Sequence, residues 1–337
     1  MKSATTALSP ALSPKEREKR IPRLARLIAT PHSDALFGER EERGAEAASE
    51  EISSERAKGL PLPGERAGVR AVVSQNQTRF PPHISRPLLC WFIWYSRRYI
   101  RRHFHSLRVS MAGLPPHTRG LPLVLYSNHA SWWDPLVCLV IKDEFFPDRN
   151  AYAPIDAVML ERYQMFRRFG FFGVEQDSRR GAVQFLRTAE KILKSPLNLL
   201  VITPQSRFAD VRERPLRFEA GLGHLAARVD HALFVPVVTE YVFWEERLPE
   251  ILVRFGEPVE VSREHGAAFP ADYWTQLFEQ KLETAQDALA AEAKLRNPNS
   301  FKSVLSGGAG QGGVYDWWRT LKAKLRGEKF RKEHGSK

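Results

Sequence analysis

Apolar positions along the central part of the chain change period repeatedly, and the changes predict its elements. Residues 121–126 (LPLVLY) are a short apolar run closed by Ser-Asn-His, the pattern of a strand buried on both faces. Residues 131–141 continue as an apolar helix, and 151–158 fit a strand. Helical spacing returns over 179–194, through Val183, Leu186, Ile192 and Leu193. Residues 197–202 (LNLLVI) are a second buried strand, followed by Thr203-Pro204. A helix is predicted over 218–229 and a strand over 233–238 (LFVPVV). Another strand follows over 251–261 with a turn at Gly256, then a polar Ala/Glu-rich helix over 271–296 carrying Leu277, Leu282 and Leu289. Strands alternating with helices predict an α/β fold, a mixed and largely parallel sheet flanked by helices. Sites in such sheets gather outside the C-terminal strand ends, which here carry Asn128-His129 and Gln205-Ser206-Arg207.

Residues 87–108 (PLLCWFIWYSRRYIRRHFHSLR) have a different character. With Arg86 they hold six arginines and no acid, interleaved with Trp91, Phe92, Trp94, Tyr95 and Tyr99. The apolar part is about half the ~20 residues that a spanning helix needs. Aromatic residues beside arginines suit an amphipathic helix in the headgroup region of an anionic membrane, where each Arg adds ~1 kcal/mol. The plain alternative is an amphipathic helix docked on the domain.

Composition sharpens the boundaries. Residues 1–80 hold 14 basic and 11 acidic residues but two of the chain's 36 aromatics, Phe37 and Phe80, so this segment is expected to be a disordered extension. Residues 81–110 are then the interfacial helix, 111–265 the catalytic domain and 266–306 a C-terminal helical segment. Residues 307–337 are a Gly-rich linker (GGAGQGG) with a basic aromatic tail. The 337-residue chain carries a net charge of +12, so a negatively charged partner is expected. Two cysteines, Cys90 and Cys138, exclude a disulfide scaffold and a cysteine zinc site. No early apolar run marks a secretory signal.

The segment Ser127-Asn128-His129-Ala130-Ser131-Trp132-Trp133-Asp134 carries the candidate chemistry. A carboxylate that holds one imidazole nitrogen leaves the other free to take a proton from a hydroxyl. Five residues within one helix turn through ~500°, placing the two side chains ~140° apart. His129 must therefore precede the helix, with Asp134 reaching back. Ser131-x-x-Asp134 is also the spacing of a capping box, in which Asp134 serves only the helix start.

Asn-His-x-Ser-x-x-Asp after an apolar strand resembles the first signature of the glycerolipid acyltransferase family that includes lysophosphatidate acyltransferase. Three further blocks follow in the family's order. They are residues 170–177 (GFFGVEQD), Thr203-Pro204-Gln205-Ser206-Arg207, and the Pro-containing strand Val235-Pro236-Val237-Val238. The resemblance spans about residues 87–262. Two departures stand out. Gln176 occupies the second block's usual Arg position, with Arg179 or Arg180 as substitutes, and the third block has Gln205-Ser206 near the usual Glu-Gly-Thr.

The resemblance implies the family's acyltransferase fold and an O-acyltransferase. His129 acts as general base on a lipid hydroxyl, Asp134 orients it, and an acyl thioester on coenzyme A or acyl carrier protein is the donor. No metal or other cofactor is implied. Asn128, Gln205, Ser206, Arg207, Arg179 and Arg180 are the expected substrate contacts, with Arg207 on an acceptor phosphate. The expected acceptor is a lysophospholipid. A non-phospholipid alcohol, or a degenerate family member that only binds lipid, is the alternative. The partners are an anionic membrane surface and these lipids, and the expected location is peripheral, on the cytoplasmic face of an inner membrane. A nucleic-acid-binding protein is a remote alternative: the charge fits it, but no nucleic-acid motif is present.

Overall fold

The computed structural model describes residues 81–118 and 120–308. The predicted extension at 1–80 and all but the first two residues of the predicted tail lie outside them. In chain order the elements are α1 (Arg86–His103), β1 (Ser106–Ser110), β2 (Leu123–Ser127), α2 (Asp134–Phe145), β3 (Asn150–Asp156), α3 (Ala157–Arg162), β4 (Phe171–Val174) and α4 (Arg179–Ile192). They continue with β5 (Asn198–Ile202), α5 (Gly221–Ala226), β6 (His231–Val242), β7 (Glu250–Phe255), β8 (Val259–Ser262), α6 (Arg263–Ala268), α7 (Ala271–Leu295) and β9 (Phe301–Ser306).

The described strands form one sheet in the order β4-β3-β5-β2-β6-β7-β1-β9, with β8 also on β6. From β4 to β6 every pairing is parallel, and so is β1 with β7. The antiparallel steps are β6–β7, β6–β8 and β1–β9. This is the mixed, mostly parallel α/β sheet that the strand–helix alternation predicts.

The central strands are apolar throughout because both faces are covered. Successive residues of β2 alternate between two cores: Val124 and Tyr126 enter one, Leu123 and Leu125 the other. The first is closed by Leu186, Ala189 and Ile192 of α4 and by Phe278, Leu282 and Leu289 of α7. The second is closed by Leu136, Val137, Val140 and Ile141 of α2 and Ile100 of α1.

Helix α1 begins with Pro87 in its first turn and ends on Arg101, Arg102 and His103, both favourable to a helix. Its Ile93, Ser96 and Ile100 are buried, Phe92 stacks on Phe169 at 4.7 Å, and Arg97 pairs with Asp143 of α2 at 2.9 Å. The opposite stripe, Trp91, Trp94, Arg98, Arg101 and Arg102, is exposed. No described helix is long and apolar enough to cross a membrane.

Several expected boundaries move. Residues 106–110, expected to belong to the interfacial helix, are a strand, buried between β7 and β9. Residues 301–306, expected to be helical, form β9 and complete that edge. Their period-2 pattern (FKSVLS, with Phe301 and Leu305 buried) is a strand signal. Helix α7 is no separate segment, since Trp274, Phe278, Leu282, Leu289 and Ala293 lay an apolar stripe into the first core. The helix expected over 218–229 contracts to Gly221–Ala226. Residues 251–261 run along one edge of β6 in two pieces. The break faces Pro236, which has no N–H for the ladder, and Gly256 fits there because a Cβ would lie 2.7 Å from the proline ring.

Candidate functional site

Because β2, β5 and β6 are parallel, the loops after β2 and β5 and the last residues of β6 emerge on one edge. Strand β2 ends its pairing at Ser127, opposite Val237. Asn128 then extends the ladder with its side chain. Its Nδ2 donates to the Thr239 carbonyl and its Oδ1 accepts from the Thr239 N–H, both at 2.9 Å. The main chain is thereby free to leave the sheet at His129.

His129 lies in the loop and Asp134 opens α2. The His129 Nδ1–H donates to Asp134 Oδ2 at 2.8 Å, since a carboxylate can only accept. The same oxygen accepts from the Ser131 N–H at 2.9 Å. The capping contact and the histidine contact thus share one carboxylate. Oδ1 accepts from the Tyr241 hydroxyl at 2.6 Å. Asp134 is 3% exposed, so a buried charge is held by three donors. No described residue bonds His129 Nε2. The imidazole stays partly open, its side chain 21% exposed.

The loop after β5 comes to the same ring. The Ala209 N–H donates to the His129 carbonyl at 2.8 Å, and Phe208 packs on the imidazole with centroids 4.3 Å apart. Further along the same loop Trp132 and Trp133 stack at 4.3 Å. Tyr99 and Phe104, at the C-terminal end of α1, contact Trp133 at 5.1 and 4.8 Å. Trp132 is 47% exposed.

The other expected contacts fall in three groups. Asn128 is 2% exposed, and its carboxamide donates one bond to Thr239 and accepts one from it, an arrangement that shapes the loop. Gln205 is buried, and its Oε1 has no hydrogen-bond partner among the described residues. Ser206 beside it takes a left-handed φ of 51°. Arg207 is exposed but forms a two-pronged pair with Glu213, and this hydrogen bond raises its already high pKa. Arg212 likewise holds Asp210 well below the usual carboxylate range, and Arg214 pairs with Glu283 and Asp287.

Arg179 and Arg180 start α4, after β4, and are exposed. Strand β4 is three positions from β2, so they sit on the order of 14 Å along the rim from the histidine's strand. The second block turns at Gly170, whose φ of 96° suits glycine and where a Cβ would lie 2.2 Å from the Ala151 carbonyl.

Two contributors went unseen in sequence reasoning, Phe208 and Tyr241. Phe208 directly follows the third block, and its position offered a signal. Tyr241 lies 107 residues from Asp134 and had none. Among the described residues no three His, Cys, Asp or Glu side chains gather to hold a metal ion. Comparison with protein-family models and with curated proteins returned no match to this chain.

Proposed function

We propose that this protein is an O-acyltransferase of the glycerolipid acyltransferase type, moving a fatty acyl group from a thioester to the hydroxyl of a lipid. The observation that carries the reading is the His129 Nδ1–Asp134 Oδ2 bond of 2.8 Å at the rim of a parallel sheet, with Nε2 free of described partners. In this reading Nε2 takes the proton of the acceptor hydroxyl. The oxygen attacks the thioester carbonyl, and the imidazolium returns the proton to the departing thiolate. Asp134 keeps the neutral ring's proton on Nδ1 and stabilises the imidazolium that forms. Base assistance of this kind contributes ~10²–10⁴ in rate.

The donor is acyl-CoA or acyl carrier protein, and no cofactor enters the step. Gln205 remains a proposed contact: its buried Oε1 has no described partner, which costs about 1–3 kcal/mol, and a substrate hydroxyl would pair it if the loop after β5 opened to admit one. The exposed Trp91/Trp94–Arg98/Arg101/Arg102 stripe of α1 supports a peripheral position on an anionic membrane, taken as the cytoplasmic face of an inner membrane. The end of that helix meets Trp133, four residues after His129 in sequence. The test is thiol release from acyl-CoA by the purified full chain, with a panel of lipid alcohols. His129→Ala is expected to abolish acceptor-dependent release while keeping the fold, and equal activity in the variant refutes the mechanism.

A second reading of the acceptor has its own observation. Arg207, the expected phosphate contact, is occupied by Glu213. That favours a neutral lipid alcohol over a lysophospholipid. The same panel distinguishes them.

A further inference from the structure

The third donor on Asp134 is the feature that the acyl-transfer reading leaves unexplained. Tyr241 stands near the end of β6, where the strand pairs with β7 through Ile251. Its ring packs against Phe104 at 5.8 Å, and its hydroxyl reaches Asp134 Oδ1 at 2.6 Å. The phenol is thus fixed at one end by the sheet and at the other by the carboxylate that holds His129.

We propose that Tyr241 is a positioning residue that sets the basicity of His129 through Asp134. Its hydrogen bond takes up part of the carboxylate's charge on Oδ1, so that Oδ2 attracts the imidazolium less than a free carboxylate would. It also fixes the carboxylate plane, so that Oδ2 stays in line with Nδ1. Tyr241 is suited to the role because it stays protonated. Burial and the adjacent Asp134 charge hold its phenol well above its ordinary range. The bond therefore persists across the range in which an imidazole titrates.

The surrounding groups leave this relation intact. Cys138 of α2 lies near Asp134 and Tyr241, and burial pushes its thiol up to about 12, so it stays neutral. Glu240, next on β6, is held above the ordinary carboxylate range by burial, with the charges of Arg212 and Lys294 acting the other way. In the loop after β5, Arg207 pairs with Glu213 and Arg212 with Asp210. His103 of α1 packs on Trp133 and holds the Tyr99 carbonyl through Nδ1 at 2.9 Å.

The inference concerns the site of the acyl-transfer reading, but its test does not need activity. The titration of His129 is followed by NMR of the imidazole nitrogens in the full-length protein and in Tyr241→Phe. Thermal melting confirms that the variant folds. Loss of the donor should strengthen the carboxylate's hold on the imidazolium and move the His129 midpoint to higher pH. Replacement of Tyr241 by 3-fluorotyrosine, a more acidic phenol of nearly the same shape, should move it lower. It also stands in for the phenylalanine variant should that one fail to fold.

If acyl transfer is present, the acid limb of kcat/KM should follow the same two shifts, with kcat reduced in Tyr241→Phe and the acceptor KM little changed. An unmoved His129 midpoint in the folded variants overturns the role of Tyr241, whatever the activity. A moved midpoint in a chain without acyl transfer upholds it while the acyltransferase reading fails.

Discussion

Asn128 and Thr239 exchange two hydrogen bonds of 2.9 Å, one from the asparagine amide and one from the threonine backbone. A side chain here occupies the place of the next peptide group of β2, and this lets the main chain turn out of the sheet at His129. Asn128→Ala leaves a buried N–H and C=O without partners and should cost about 2–4 kcal/mol, read as a lower denaturant midpoint. Asn128→Asp keeps the acceptor but sets a buried carboxylate oxygen against the Thr239 carbonyl and should cost at least as much. A neutral alanine variant would mean that the loop holds its shape by other means.

Asp134→Asn should lose the chemistry and also the cap, because the Ser131 N–H bonds the same oxygen as His129. An amide whose Oδ1 still accepts from Tyr241 presents its NH₂ to His129 Nδ1, forcing the proton to Nε2, the wrong nitrogen for a base. We expect kcat to fall by ~10²–10⁴ and stability to fall by about 1–3 kcal/mol, with the fold retained. Steady-state kinetics beside a thermal melt checks both.

Gln205→Met separates binding from stability. It removes a buried acceptor that has no described partner, so the fold should be as stable or more stable. The acceptor KM should rise, because the hydroxyl loses a partner. A drop in stability without any change in KM would count against Gln205 as a substrate contact.

Glu213→Gln weakens its hold on the Arg207 guanidinium. If the acceptor carries phosphate, its KM should fall in this variant, and if it is a neutral alcohol, KM should stay level. The comparison uses the same acyl donor with a phosphorylated and an unphosphorylated acceptor.

On α1, Arg98→Ala with Arg101→Ala should weaken binding to anionic vesicles by about 2 kcal/mol, roughly thirty-fold, with an effect that shrinks as salt rises. Both side chains are exposed and make no described ion pair, so the fold should not change. Equal co-sedimentation of the variant at low salt would argue that this stripe does not meet the membrane.

What the sequence alone determined is local. The buried strands β2 and β5 were legible because two covered faces demand unbroken apolar runs, and α4 because its apolar positions recur at helical spacing. The placing of His129 before the helix was legible too, since ideal helix geometry excludes His129 and Asp134 from one helix, but the helix expected over 131–141 runs Asp134–Phe145. Tertiary structure decided the rest, for reasons of distance along the chain. Strand β1 is short and half polar, and it is a strand because it lies between β7 and β9 near the sheet edge. The break between β7 and β8 depends on Pro236, which sits on a different strand. Arg207 looked free for a substrate until folding of its own loop brought Glu213 against it. The third hold on Asp134 comes from a tyrosine 107 residues away, because a parallel sheet delivers the ends of β2 and β6 to one rim however far apart they are in sequence.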